Sequence, residues 1–451
     1  MTRNRMLIVV TACVTTCVGT TARAQAPPGA QTQPGTFAVA GGAQVDVIHG
    51  SFAVPSRRGA PEARPLTLKY VRFPSTSQTP GPPIVFLAGG PGDAATRAFA
   101  GMPPAFLASL RAIADVVAFD QRGTGTSEPA TPVCPPGEAL PLDRPGDPAA
   151  MVAAMRRQLE RCLPALATRV DVMGLTTAES ADDVRDLRDA LGVPRVSLLA
   201  GSYGTHLALA VARRHPDVVA RMALAGVEGP DDTIKHPARV DDVLTAIDAA
   251  HPGLVDAIRT IASRLGQASW TKTLPNGQAV TLGLWDFQRY VADSLDTVAE
   301  IEALRAALPS LLGGDYSEVG RATLRYRLPR PLNVMNLAMD CASYASPARL
   351  DAIRRDAPRT ILGDAINMPL PDICDTPGLP RLEDTFRAPI TSDVPALLIA
   401  GTFDGRTPVT NAQAVAAGLA KSEVMVVPNV SHDLFRSAAV LERMVEFLKA
   451  R

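Results

Sequence analysis

Three residues far apart in the chain carry side chains that can act together on a carbonyl group: Ser202, Asp404 and His432. A serine hydroxyl is a poor nucleophile until a base takes its proton, and an imidazole titrates close enough to neutrality to do so. A carboxylate beside the imidazole fixes its tautomer and stabilises the imidazolium. Each of the three follows an apolar run. Val196 to Ala200 leads to Gly201-Ser202-Tyr203-Gly204. Val394 to Ala400 leads to Gly401-Thr402-Phe403-Asp404. Glu423 to Val427 leads to Pro428-Asn429-Val430-Ser431-His432-Asp433.

The stretch around Ser202 reads as a strand, a sharp turn with the serine at its apex, and a helix running on from Thr205 to Arg214. Such a turn needs small neighbours and lifts the hydroxyl into a cleft above the sheet edge. Ala200 stands where a glycine is usual, and it is still small. The helix start offers unpaired N–H groups and a positive dipole end to a developing oxyanion. Tyr203, the residue after the nucleophile, supplies one N–H. The second is expected from the loop Gly89-Gly90-Pro91-Gly92, with Gly90 as the first choice.

Other groups nearby have structural readings. Glu228 is an alternative acid to Asp404, but the order serine, acid, histidine along the chain favours Asp404. His206 lies one helical turn past Ser202 and is expected to pack beneath the site. Asp433 is expected to point away, and Asp120 and Arg122 to build a turn and an ion pair.

Among the elements that must position these groups, Gln44 to Pro55 and Leu66 to Phe73 read as a strand pair. Pro83 to Ala88 and Asp115 to Phe119 are buried strands with the helix Pro104 to Ala114 between them. Asp147 to Leu166 and Ser180 to Leu191 read as helices, the second opened by Thr176-Thr177-Ala178-Glu179 as a capping box. Ala220 to Ala225 is another strand. This alternation predicts a parallel sheet with crossover helices. From Gly226 the apolar period becomes helical: Val240, Val243, Leu244 and Ile247, then Leu254, Ile258, Ile261 and Leu265, then Val298, Ile301, Leu304 and Leu308. An Asn276-Gly277 hairpin turn is expected within it. After the strands that carry Asp404 and His432, Ala438 to Ala450 closes the chain as a helix.

The whole chain has 451 residues, 46% hydrophobic and 20% charged, with no net charge. That is ample for a large core and an insertion, and it gives no electrostatic reason to expect nucleic acid or an anionic membrane as partner. Residues 1–24 read as a signal peptide, with Arg3 and Arg5, an apolar run from Met6 to Gly19 and an A-x-A site at Ala22-Arg23-Ala24. A lipoprotein site at Cys13 is a weaker alternative, and no stable membrane span is expected after cleavage. The location expected is periplasmic or secreted. Residues 25–44 read as a flexible lead-in, 45–227 and 391–451 as the two parts of the sheet domain, and 228–390 as a helical cap. Cys134, Cys162, Cys341 and Cys374 remain outside the leader, an even number that favours two disulfides in an oxidising compartment. Proximity in sequence suggests Cys134 with Cys162 and Cys341 with Cys374, one of three possible pairings. No metal-ligand spacing occurs, and the chemistry needs no cofactor.

Gly89-Gly90-Pro91-Gly92, Asp120-Gln121-Arg122-Gly123-Thr124-Gly125-Thr126-Ser127, Gly201-Ser202-Tyr203-Gly204 and Gly401-Thr402-Phe403-Asp404 together resemble the proline iminopeptidase and tripeptidyl aminopeptidase-like branch of the α/β-hydrolases. The resemblance runs from about Val45 to the end of the chain. It implies an α/β-hydrolase fold, a mostly parallel sheet flanked by helices with an inserted helical cap. It also implies exopeptidase activity on free N-termini of short peptides, with carboxylates holding the α-ammonium. Asp340-Cys341 and Cys374 resemble the cysteine positions of the secreted tripeptidyl-type members, which supports that pair. The chain departs from the pattern at Ala88, where a histidine is typical, and at Ala200. Glu228, Asp231 and Asp232 are the candidates for substrate binding. A carboxylesterase or lactonase would use the same triad on a small-molecule substrate. A non-catalytic binding protein would be marked by a missing triad member, and none is missing.

Overall fold

A computed structural model describes residues 30–273 and 277–450. The expected leader, its cleavage site, Cys13 and Asn276 lie outside the described residues. Nine strands form one sheet: β1 (Gln31–Ala38), β2 (Gln44–Pro55), β3 (Pro65–Phe73), β4 (Gly81–Leu87), β5 (Ala114–Asp120), β6 (Val196–Gly201), β7 (Val219–Ala225), β8 (Ala396–Gly401) and β9 (Ser422–Val427). In space they run β1-β2-β3-β5-β4-β6-β7-β8-β9. The pairs β1–β2, β2–β3 and β3–β5 are antiparallel, and every pair from β5–β4 to β8–β9 is parallel.

The apolar runs become central strands because helices cover both faces of the sheet. Val85 and Leu87 of β4 join Val117, Phe119, Leu198 and Ala200 in one core, beneath the helices Pro148–Ala167, Thr177–Leu191 and Tyr203–Arg214. Ile84 and Phe86 point the other way, to a core with Leu199, Leu397 and Ile399 under the helices Pro104–Arg111 and Ala438–Lys449. Of the expected capping box only one half forms: the Thr176 hydroxyl accepts from the Glu179 N–H at 3.2 Å, while the Glu179 carboxylate is drawn away to Arg58; the helix ends at Gly192, with φ 67°.

The lead-in expected to be flexible contains the strand β1. Residues 31–38 lie antiparallel on β2, Gln31 opposite Ser51 and Ala38 opposite Gln44. Its first four side chains are exposed, so there is no apolar periodicity to read. The backbone ladder holds this edge strand, and an edge tolerates Pro34. Phe37 anchors its end against Phe73, ring centroids 5.3 Å apart.

Between β7 and β8 the chain leaves the sheet. The helices Pro237–Ala250, Leu254–Gln267, Leu284–Asp293, Val298–Leu312 and Ser317–Arg327 follow, with a small pair of strands, Trp270–Thr273 and Ala279–Leu282, among them. Their apolar faces meet in a core of their own, which includes Val240, Leu244, Ile258, Phe287, Ile301 and Leu304. The helix Val334–Ser343 behaves differently. Its Val334, Met335, Ala338, Met339 and Cys341 are buried in the core of the sheet. Cys341 is bonded to Cys374 and Cys134 to Cys162, the pairings suggested by proximity.

Arg122 is fully buried and holds the turn after β5 to the rest of the sheet domain. It pairs with Asp183 at 2.7 Å and donates to the carbonyls of Ser56 at 2.7 Å and Gly174 at 2.9 Å. Asp120 caps the same turn, accepting from Thr96 and Thr126 N–H groups at 3.0 Å each. Both residues therefore have the structural roles expected of them. Removing one partner of a buried pair strands the other, so Arg122→Leu is expected to cost about 3–5 kcal/mol of stability. A urea melt checks this, and a midpoint equal to that of the wild type would contradict it.

Candidate active site

The parallel strands bring their carboxyl ends to one edge, and the loops that leave this edge carry the candidate groups. Ser202 follows β6, Asp404 follows β8, His432 follows β9, and Gly89-Gly90 follow β4.

The serine sits on a strained turn. Its φ is 54° and ψ −131°, a conformation that costs a non-glycine residue about 1–3 kcal/mol. Backbone bonds hold it there, from the Ser202 N–H to the Ala225 carbonyl at 3.0 Å and from the Thr205 N–H to the Ser202 carbonyl at 2.8 Å. Gly204 cannot be larger, because a Cβ would lie 2.1 Å from the Leu87 carbonyl oxygen. Ala200 is fully buried in the core, so its methyl fits where a glycine is usual. Tyr203 opens the following helix, so its N–H has no acceptor within that helix. The Gly89-Gly90 loop runs close by, since a Cβ on Gly89 would be 3.0 Å from Cβ of Ser202.

Asp404 is fully buried and accepts at both oxygens. Its Oδ1 takes the N–H groups of Arg406 at 2.8 Å and Thr407 at 2.7 Å. Its Oδ2 takes the Thr407 hydroxyl at 2.7 Å and Nδ1 of His432 at 2.8 Å. Burial pushes the Asp404 carboxyl up, but His432 and Thr407 outweigh it and hold the group below the ordinary range. Burial likewise pushes His432 down, and the Asp404 carboxylate overrides it, so the imidazole titrates above its ordinary 6.5. Gly226 leaves room for the ring, because a Cβ there would stand 2.9 Å from Cε1 of His432.

Ser202, His432, Gly89 and Gly90 line one cavity of about 560 Å³. A larger cleft of about 860 Å³, along the helix Pro148–Ala167, includes none of them. A hydroxyl, an imidazole held in one tautomer and a glycine loop on one wall can together take a proton, attack a carbonyl and hold an oxyanion.

The candidate substrate carboxylates divide. Glu228 lines the cavity, but its Oε2 is paired with the Lys235 ammonium at 2.7 Å and its Oε1 accepts from Thr233 at 3.1 Å. Asp231 and Asp232 do not reach the cavity. Asp231 accepts the Ser346 N–H and hydroxyl at 2.6 Å each, and Asp232 pairs with Arg349 at 2.8 Å and Arg239 at 3.4 Å. Their position near a strand end suggested a ligand, and helix capping and ion pairing have taken them instead. Asp340 is an acid in the cavity wall that the sequence pattern does not single out. It lines the cavity from the helix Val334–Ser343, and among the described residues no hydrogen bond or ion pair engages its carboxylate. Burial, then Glu228, pushes it up to about 8. Its only sequence signal is its place on an apolar helix next to a half-cystine.

The remaining neighbours behave as expected. His206 is buried, with Nδ1 at 3.0 Å from the Gly229 carbonyl and Nε2 at 3.0 Å from the Ser343 hydroxyl. Asp433 turns toward the Val298 N–H at 3.4 Å.

A family model described as the alpha/beta hydrolase fold matches residues 82–438. Among curated proteins, serine protease Hip1 of Mycobacterium tuberculosis is 30% identical over 195 residues, covering 40% of this chain and 36% of the relative. A tripeptidyl aminopeptidase of Streptomyces coelicolor is 29% identical over 205 residues, covering 43% and 37%. A proline iminopeptidase of Arabidopsis thaliana is 29% identical over 150 residues, covering 33% and 27%. The matched stretches thus span little more than a third of these relatives at most. The family model spans most of the chain, and the nine-stranded sheet with helices on both faces agrees with it: this chain belongs to the α/β-hydrolase fold family.

Proposed function

We propose that this protein is an exported serine hydrolase that acts as an aminopeptidase on short peptides with free N-termini. The observation that carries the reading is the 2.8 Å hydrogen bond between Asp404 and His432, beside the cavity that also receives Ser202. His432 takes the Ser202 proton as Oγ attacks the carbonyl, and the N–H groups of Tyr203 and Gly90 stabilise the oxyanion. The imidazolium returns its proton to the leaving amine, and an acyl-enzyme remains. Water then gives a proton to His432 and hydroxide to the acyl carbon, and Ser202 leaves with that proton. No metal or cofactor takes part in this sequence.

The peptidase reading is supported by Asp340, a free carboxylate in the cavity wall able to accept an α-ammonium, and by relatives named as a serine protease and as aminopeptidases. Residues 228–390 serve as the cap over the cavity. Export rests on the leader at 1–24, and the two disulfides are compatible with it. No described helix is long and apolar enough to cross a membrane.

One observation favours an esterase or lactonase instead. Lys235 neutralises Glu228, and Asp340, pushed up to about 8, is largely uncharged at neutral pH. A cavity without net negative charge suits an uncharged ester.

Ser202→Ala should abolish hydrolysis, by about 10⁴-fold or more, together with labelling by a fluorophosphonate probe. Activity retained in a folded variant would remove the serine from its role. The acid limb of kcat/KM should lie above pH 6.5, because the proton that Asp404 helps to hold on His432 must be lost before the ring can act as base. A limb below 6.5 would contradict the geometry. Asp340→Asn should raise KM for aminoacyl anilides about 10- to 100-fold relative to p-nitrophenyl esters, the scale of one charge-assisted contact. Equal losses on both substrates would favour the esterase reading.

A further inference from the structure

The histidine loop is held by the insertion as well as by the sheet. The turn at residues 294–297, between the helices Leu284–Asp293 and Val298–Leu312, lies directly against it. The His432 N–H donates to the Asp296 carbonyl at 3.1 Å. The neighbouring Ser431 hydroxyl is buried within reach of three carbonyls, those of Leu295 at 3.0 Å and of Asp296 and Phe403 at 3.2 Å. The acid loop meets the same turn. Arg406 Nε is 3.3 Å from Asp296 Oδ1, and a Cβ on Gly405 would stand 2.7 Å from Cβ of Leu295. Asp296, Arg406 and His432 all line the cavity.

We propose that Asp296, on the inserted segment, is a positioning residue for His432. Its backbone carbonyl fixes the main chain of the base, and its carboxylate, steered by Arg406, sets the field at the imidazole. The role rests on the triad reading above. Three charged groups dominate around the ring: Asp404 behind it, and Asp296 and Arg406 at the cavity wall, the first two favouring the imidazolium and the third opposing it. Glu228, Lys235, Asp340, Arg289 and Asp93 stand on other parts of the wall, and Asp433 faces the Val298 N–H. Asp296 is half-exposed, so its field is screened and is best read at low salt.

The two charges at the wall make the test directional. Asp296→Asn removes a negative charge, which lowers the pH at which His432 becomes a free base. Arg406→Gln removes a positive charge and raises it. The readout is the pH dependence of phosphonylation of Ser202 by an alkyl fluorophosphonate, a probe without an amine for Asp340 to bind. The acid limb should move down in Asp296→Asn and up in Arg406→Gln, each by on the order of half a pH unit. General loosening of the site cannot shift the limb in opposite directions. Limbs that coincide with the wild type, or move together, overturn the proposal. If Asp296→Asn fails to fold, the upward shift in Arg406→Gln decides alone. For the main-chain contact, Gly405→Ala drives a methyl against Leu295 and should lower kcat about tenfold or more with little change in KM. An unchanged kcat overturns that half. His432→Ala separates the two levels. If it still labels at the wild-type rate, the triad reading fails. If it is dead while the limbs stay put, the positioning role alone fails.

Discussion

Asp404 is an acid with no access to water, and the loops around it are arranged to keep it ionised there. An unpaired buried carboxylate would take up a proton and cease to orient anything. Four donors prevent this: two backbone N–H groups from its own turn, the Thr407 hydroxyl and the imidazole. The turn 404–407 therefore has little freedom, and the ring must carry its proton on Nδ1. That leaves Nε2 as the acceptor, the tautomer a serine hydroxyl needs. The strained backbone of Ser202 is tolerable for a related reason. Its peptide groups are engaged with β7 and with the first helical turn, so the surroundings determine its conformation.

The inserted segment is less separate than its position in the chain suggests. Its first five helices have their own core, yet its turn at 294–297 grips the histidine loop and its helix Val334–Ser343 is buried with the sheet. The disulfide Cys341–Cys374 ties that helix to the turn Asp372–Asp375. Asp340 thus projects into the cavity from a rigid element, and a rigid carboxylate discriminates between ligands better than one on a loose loop.

Complete burial makes the central strands the most legible parts of this fold. β4 to β8 show up as apolar runs because both of their faces are covered, and the loops after β6 and β8 place Ser202 and Asp404 at one edge; His432 follows β9, a partly exposed strand that is legible from its run of β-branched residues. β1 was illegible because a polar edge strand is held by its backbone, which leaves no pattern of side chains. The substrate acids failed for a different reason. Asp231 and Asp232 look available until Ser346 and Arg349, more than a hundred residues on, take them up. Asp340 looks like any helical acid until the fold deprives it of partners. Whether a carboxylate is free is a tertiary property, set by what else arrives beside it.

The polar strand β1 bears on the protein's life at high concentration. Without it, the apolar strand β2 would present a bare row of backbone donors and acceptors to other chains, a template for sheet-to-sheet growth. β1 takes up that row and turns outward a strand of glutamines and threonines interrupted by Pro34 and Gly35. Such a border recruits further strands poorly. Residues 31–38 therefore serve colloidal stability, and removing them would make this a stickier molecule before it made it a slower catalyst.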